Sequence, residues 1–149
     1  MDEAGMSTPG TVITTGVVET EISTAALEPE VLTDTCGAVV SFSGVIRDHD
    51  EGRGVASLHY EAHPVASEQI AEVAADIAAR HPHVRLSVIH RVGDLTIGDV
   101  ALAAVVASAH RKDSFLACSD LIDEVKARVA IWKHQHFADG SDEWVGALE

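Results

Sequence analysis

Basic residues are scarce in this chain. Ten Lys and Arg stand against 24 Asp and Glu, for a formal net charge of −14, and the first 46 residues hold none of the ten. Binding a nucleic-acid backbone requires a basic face, so this balance excludes DNA and RNA as the main partner. Aromatic residues reach only 4% while apolar residues make up 46%, so the core is expected to consist of small, interdigitating Ala and Val side chains. Cysteine occurs twice, at Cys36 and Cys118. That spacing excludes a disulfide framework, a zinc ribbon and a CxxC redox motif, and it fits a reducing cytoplasm. The longest apolar run, Val100–Ala107, falls far short of the ~20 residues of a membrane helix. The opening MDEAGMSTPG lacks the basic and apolar regions of a signal peptide. The chain is therefore expected to be cytoplasmic and off the membrane.

What is present reads as alternating elements. Residues 1–10 are expected to form a flexible tail, with one domain over residues 11–149. Thr and Val alternate over Thr11–Ile22, an edge-strand pattern. Thr24 is positioned to cap a short helix over Ala25–Leu32, with Pro29 as a kink or a late start. Gly37–Ile46 and Val55–Ala62 read as strands, expected to pair as a hairpin around the charged, mobile tip DHDEGRG. Ala66, Ile70, Val73, Ala74, Ile77 and Ala78 form one apolar helical stripe, ended by His81-Pro82. Val84–His90 alternates as a strand. Leu95–Ile97 is a short extended piece between two Gly-Asp turns. Val100–Ser108 is apolar on both faces, as in a strand buried from both sides. A helix then carries Phe115, Cys118, Ile122, Val125 and Val129 as its stripe, capped by Asp113 or Ser114, and Val129–Phe137 alternates as an extended segment. Strands and helices mix without strict alternation, which gives the α+β class.

Five of the ten basic residues, together with His110, His134 and His136, fall between His110 and Phe137. Clustered cations repel one another, and an anion offsets the cost. His110-Arg111 falls at a strand end and helix start, where backbone N–H groups and a guanidinium suit an anion. The same pair reads equally as a solvated turn, with Arg111 joined to Asp113. Lys126 lies at the margin of the helical stripe, and Lys133 projects from the strand beyond. Flanking the apolar Ile131-Trp132 pair, both are expected to be partly desolvated and so able to act as acid, base or nucleophile, unless they are ordinary surface lysines. His134-x-His136 has a spacing zinc can use, but a third ligand would have to come from His110 or an aspartate. Cys118, inside the helical stripe, reads as a core thiol.

The blocks FSGVIR (Phe42–Arg47), LHYEAH (Leu58–His63), IHRVGDLTIGD (Ile89–Asp99), SAHRKDSF (Ser108–Phe115) and DEVKARVAIWK (Asp123–Lys133) resemble, in order, the large catalytic subunit of molybdopterin synthase. The resemblance runs from about Gly37 to Val145. It implies an α/β-hammerhead fold with an additional antiparallel sheet, and a homodimer within a heterotetramer. It implies a small ubiquitin-like sulfur-carrier subunit as partner, whose C-terminal Gly-Gly thiocarboxylate donates sulfur to cyclic pyranopterin monophosphate. It implies no resident cofactor or metal. The family's pocket arginine falls on Arg47, its His-Arg pair on His110 and Arg111, and its two site lysines, the catalytic candidates, on Lys126 and Lys133. Ile46, His134 and Gln135, adjacent in sequence, complete the candidate substrate-binding set.

Three positions depart from that pattern. Ala130 stands where the family often has Pro, which is expected to loosen the helix-to-strand junction. Gln135 replaces an acidic residue and removes a negative charge near Lys133. Val45 replaces a frequent Lys. These departures leave a second reading open, a non-catalytic small-anion binding or regulatory module on the same fold, and His134 with His136 leave a third, a structural zinc protein.

Overall fold

A computed structural model describes residues 8–146. Along the chain lie β1 (Thr11–Val18), α1 (Thr24–Val31), β2 (Ala38–Val45), β3 (His49–Asp50), β4 (Arg53–Ala62), α2 (Ala66–Arg80), β5 (Arg85–Arg91) and β6 (Gly93–Thr96). They are followed by β7 (Val100–Ser108), α3 (Arg111–Arg128), β8 (Ile131–Phe137) and β9 (Asp142–Val145). Two sheets result, one ordered β1-β5-β7-β2 and one β3-β4-β8-β9 with β6 also on β4. Every pairing in the second sheet is antiparallel. The α+β class and the separate antiparallel sheet are as expected.

Strand β7 is central because its side chains satisfy both faces. Leu102, Ala104 and Val106 pack under α2 and α3 with Ile70, Val73, Ile77, Leu121 and Val125. Ala103, Val105 and Ala107 point the other way, against Leu27 and Val31 of α1. Full burial of each larger aliphatic side chain is worth roughly 1.5–3 kcal/mol, while the alanines let the helices approach closely. All six expected stripe residues of α2 are buried. In α3 the buried face is Ser114, Ala117, Cys118, Leu121 and Val125, so the expected stripe is corrected at Phe115, which is 60% exposed.

Other boundaries moved for local reasons. Ser23, not Thr24, caps α1 by accepting from the Ala26 N–H at 3.1 Å, and Pro29 is held inside that helix. The first strand stops at Val18, and it is an edge strand, parallel to β5. The helix after β7 starts at Arg111 with His110 as its cap residue, ahead of the expected Asp113 or Ser114. Most of the expected tail lies outside the described residues, but Gly10 donates to Ala78 O at 2.9 Å.

The larger correction concerns pairing. β2 does not form a hairpin with β4: it is antiparallel to β7 in the first sheet, while β4 pairs with β8 in the second. Two strands apolar on adjacent stretches look alike in sequence, and only the long-range partner separates them. The segment expected as a mobile tip instead folds into a tight hairpin, β3–β4. Its two turn residues, Glu51 (φ 49) and Gly52 (φ 82), both take positive φ, as a two-residue hairpin turn requires.

Candidate functional site

Between the two sheets and the end of α3 lies a cleft of about 330 Å³, the size of a small organic ligand's site. Four elements build it. The β2–β7 ladder breaks its register between Gly44 and Val45. Beyond that bulge Ile46 exchanges backbone bonds with Asp99 O (3.0 Å) and Gly98 N (2.8 Å), which leads Arg47 to the rim. Lys126 comes from the last turn of α3. Across the β4–β8 ladder Tyr60 stands opposite Lys133, and Leu58 opposite Gln135. Partners directly opposite point to the same face, so these four side chains share one wall.

Arg47, Lys126, Lys133, Ile46 and Gln135 thus all line the same cleft, although they come from three distant parts of the chain, the segment after β2, the end of α3 and β8. Lys133 is half-buried as expected, whereas Lys126 is exposed, so the expected desolvation does not hold for it. It lines the cleft as an exposed side chain. His110 and Arg111 do not line the cleft. They begin α3 and Lys126 ends it, and fifteen residues of helix separate Arg111 from Lys126 by roughly 22 Å at 1.5 Å per residue. His134 is also absent from the lining. Strand alternation turns it to the opposite face of β8, where its Nε2 meets Asp142 at 2.5 Å and its ring stacks on Trp144. Among the described residues, no three His, Cys, Asp or Glu side chains are placed to hold a metal ion. Cys118 is buried, and burial pushes its thiol up to about 11, far from a reactive thiolate.

Besides His49 on the β3 hairpin, sequence reasoning missed three titratable side chains of the lining. Tyr60 and His90 meet edge-on, 5.1 Å between ring centroids. Burial raises the Tyr60 phenol above its ordinary value. Burial also holds the His90 imidazole below its own, with the nearby Lys126 charge acting the same way. His90 Nδ1 donates to Arg91 O at 2.8 Å, which leaves Nε2 as an acceptor. The third is Asp50, from the hairpin that sequence alone reads as a loose tip. Gln135 donates to it at 2.9 Å and Arg47 at 3.5 Å. The Gln135 hydrogen bond, helped by the Lys133 and Arg47 charges, keeps this carboxyl below the ordinary carboxylate value. Nothing local in the sequence marks these three, since each reaches the cleft through strand pairing. A cleft with two ammonium groups, a guanidinium and a neutral imidazole can bind an anion and stabilise negative charge that develops during reaction.

Comparison with known proteins gives this cleft a context. The sequence model of the MoaE protein family matches residues 17–128. The chain belongs to the MoaE family. A relative from a Nostoc species, a molybdopterin synthase catalytic subunit, is 41% identical over 117 residues, covering 76% of this chain and 71% of the relative. The crystal structure of molybdopterin synthase from Staphylococcus aureus superposes with a TM-score of 0.82 at 34% identity, covering 87% of this chain and 95% of that one. A chain from a Helicobacter pylori complex of subunits 1 and 2 of molybdopterin-converting factor has the same MoaE fold, with a TM-score of 0.66 at 19% identity over 94% of this chain and 90% of that one. The family match runs from the end of β1 through α3 and so includes Arg47 and Lys126, while Lys133 and Gln135 lie just beyond it.

Proposed function

We propose that this chain is the catalytic subunit of a molybdopterin synthase. It takes sulfur from the C-terminal thiocarboxylate of a small ubiquitin-like carrier and delivers it to cyclic pyranopterin monophosphate, forming the dithiolene of molybdopterin. The observation that carries this reading is the meeting of Arg47, Lys126 and Lys133 in one cleft. Both reactants are anions, and their approach requires cations held in place beforehand. Arg47 positions the phosphate of the pterin. Lys126, the more exposed of the two lysines, meets the carrier's terminal carbonyl and supports the negative charge of the tetrahedral intermediate. Lys133, deeper in the wall, serves the substrate side.

His110 and Arg111 enter this reading through a second copy of the chain. Phe115 and Leu116, one turn after Arg111, are 60% and 51% exposed, an apolar patch suited to a homodimer contact. A copy seated there would carry His110 and Arg111 to its neighbour's cleft, which makes the dimer part of the active site and, with two carriers, a heterotetramer. The Helicobacter pylori chain of like fold was solved in a complex of subunits 1 and 2 of molybdopterin-converting factor.

The test is reconstitution. The chain is incubated with thiocarboxylated carrier and cyclic pyranopterin monophosphate, and dithiolene is measured as its stable oxidised derivative. Wild type is expected to form it. Lys126→Ala and Lys133→Ala are each expected to lose about 10²–10³ in rate with the fold retained by circular dichroism. Dithiolene formation that survives loss of both lysines, or none from wild type, ends the reading.

A further inference from the structure

The cleft already contains an anion of its own. Asp50 is the one carboxylate among the described residues lining it, and it is built in rather than incidental. It sits on the two-residue strand β3, before the tight turn. Its side chain is 26% exposed, while Asp48 beside it is 77% exposed. Both its oxygens are engaged: Oδ2 accepts from the Gln135 amide at 2.9 Å and Oδ1 from Arg47 at 3.5 Å. Gln135 is only 3% exposed, and the same amide nitrogen lies 3.4 Å from Glu143 on β9. A buried amide bound on both sides fixes where the carboxylate stands. The charge expected to be missing at position 135 is therefore supplied from another strand.

We propose that Asp50 is a specificity-determining residue of this cleft, a tethered carboxylate that disfavours small lone anions. An incoming phosphate-sized anion competes with Asp50 for Arg47 and meets the repulsion of that carboxylate beside Lys133 in the same cleft. A ligand that also fills the wall formed by Phe42, Leu58, Tyr60 and His90 gains contacts that offset this repulsion, and inorganic phosphate gains none of them. The inference rests on the reading of the cleft as the site for a phosphorylated pterin only for the identity of the favoured ligand.

Asp50→Asn separates charge from tether, because the asparagine carbonyl still accepts from Gln135. The full chain is titrated with inorganic phosphate by calorimetry at low ionic strength. Asp50→Asn is expected to bind phosphate about tenfold tighter than wild type. Asp50→Glu, and the double variant Asp50→Asn with Gln135→Glu, each return a carboxylate and are expected to bind as wild type does. Adding Lys133→Ala to Asp50→Asn is expected to erase the gain, which places the phosphate in this cleft. Phosphate binding that is unchanged or weaker in Asp50→Asn, or undetectable throughout, overturns the proposal. So does a gain that both charge-retaining variants keep, or one that survives Lys133→Ala. If the double variant fails a thermal-melt check, Asp50→Glu decides. No carrier or pterin is used, so a failed reconstitution with the phosphate pattern intact removes only the sulfur-transfer reading, and the reverse result removes only this one.

Discussion

The backbone N–H of Ala130 donates to the side-chain carbonyl of Gln69, at 2.8 Å. Ala130 is, with Val129, one of the two residues that join α3 to β8, and so it helps set Lys126 against Lys133. An alanine at this point looked from sequence like a loosened hinge. The structure instead uses the N–H that a proline would lack, and the Ala130 carbonyl accepts from His63 N at 3.0 Å. Both backbone groups of the junction are therefore satisfied.

Gln69→Leu leaves that half-buried N–H without its partner, at a cost of about 1–3 kcal/mol. Urea unfolding reads the loss. Reconstituted activity is expected to fall as well, because the junction spaces the two lysines. Unchanged stability would show that solvent replaces the glutamine fully.

Shared sites predict complementation. Lys126→Ala and Arg111→Ala proteins, each nearly inactive, are expected to regain activity when unfolded together and refolded. Random pairing leaves roughly a quarter of the sites with both an intact cleft and an intact neighbour. Activity that stays at the level of the separate variants would show that Arg111 does not act across the dimer.

His90 gives stability a pH dependence of known sign. Its folded value lies below the ordinary 6.5, mainly through burial. As pH drops through about 6.5 the unfolded chain takes up a proton that the folded chain refuses, so stability falls until the folded imidazole is itself protonated. Above that window the effect is absent. His90→Gln is expected to remove this part of the slope, so thermal midpoints of the two proteins converge, or cross, between about pH 7.5 and pH 5. Parallel midpoints across that range would refute it.

A Cβ built on Gly37 would stand 2.5 Å from the carbonyl oxygen of Ala109. Backbone rather than a flexible side chain makes that contact, so Gly37→Ala is expected to cost about 1–3 kcal/mol. Glu51, at φ 49 in the hairpin turn, is the opposite case. Glu51→Asn places a residue that tolerates this conformation and is expected to add a few tenths of a kcal/mol. Thermal melts measure both.

Local chemistry determined a good part of this molecule. The period of the apolar residues located α2 and the doubly buried β7, because a helix or strand must turn its apolar face to a core whatever its neighbours are. The family likeness marked Arg47, Lys126 and Lys133, and all three reached one cleft. Tertiary structure alone decided the rest. Strand partners are chosen over long separations, so β2 took β7 and left β4 to β8, and that choice brought Tyr60 opposite Lys133. Helix length carried His110 and Arg111 away from Lys126, and strand alternation turned His134 outward. Asp50 shows the limit most plainly. Its partner Gln135 is 85 positions away, and no periodicity within either segment encodes a hydrogen bond between them.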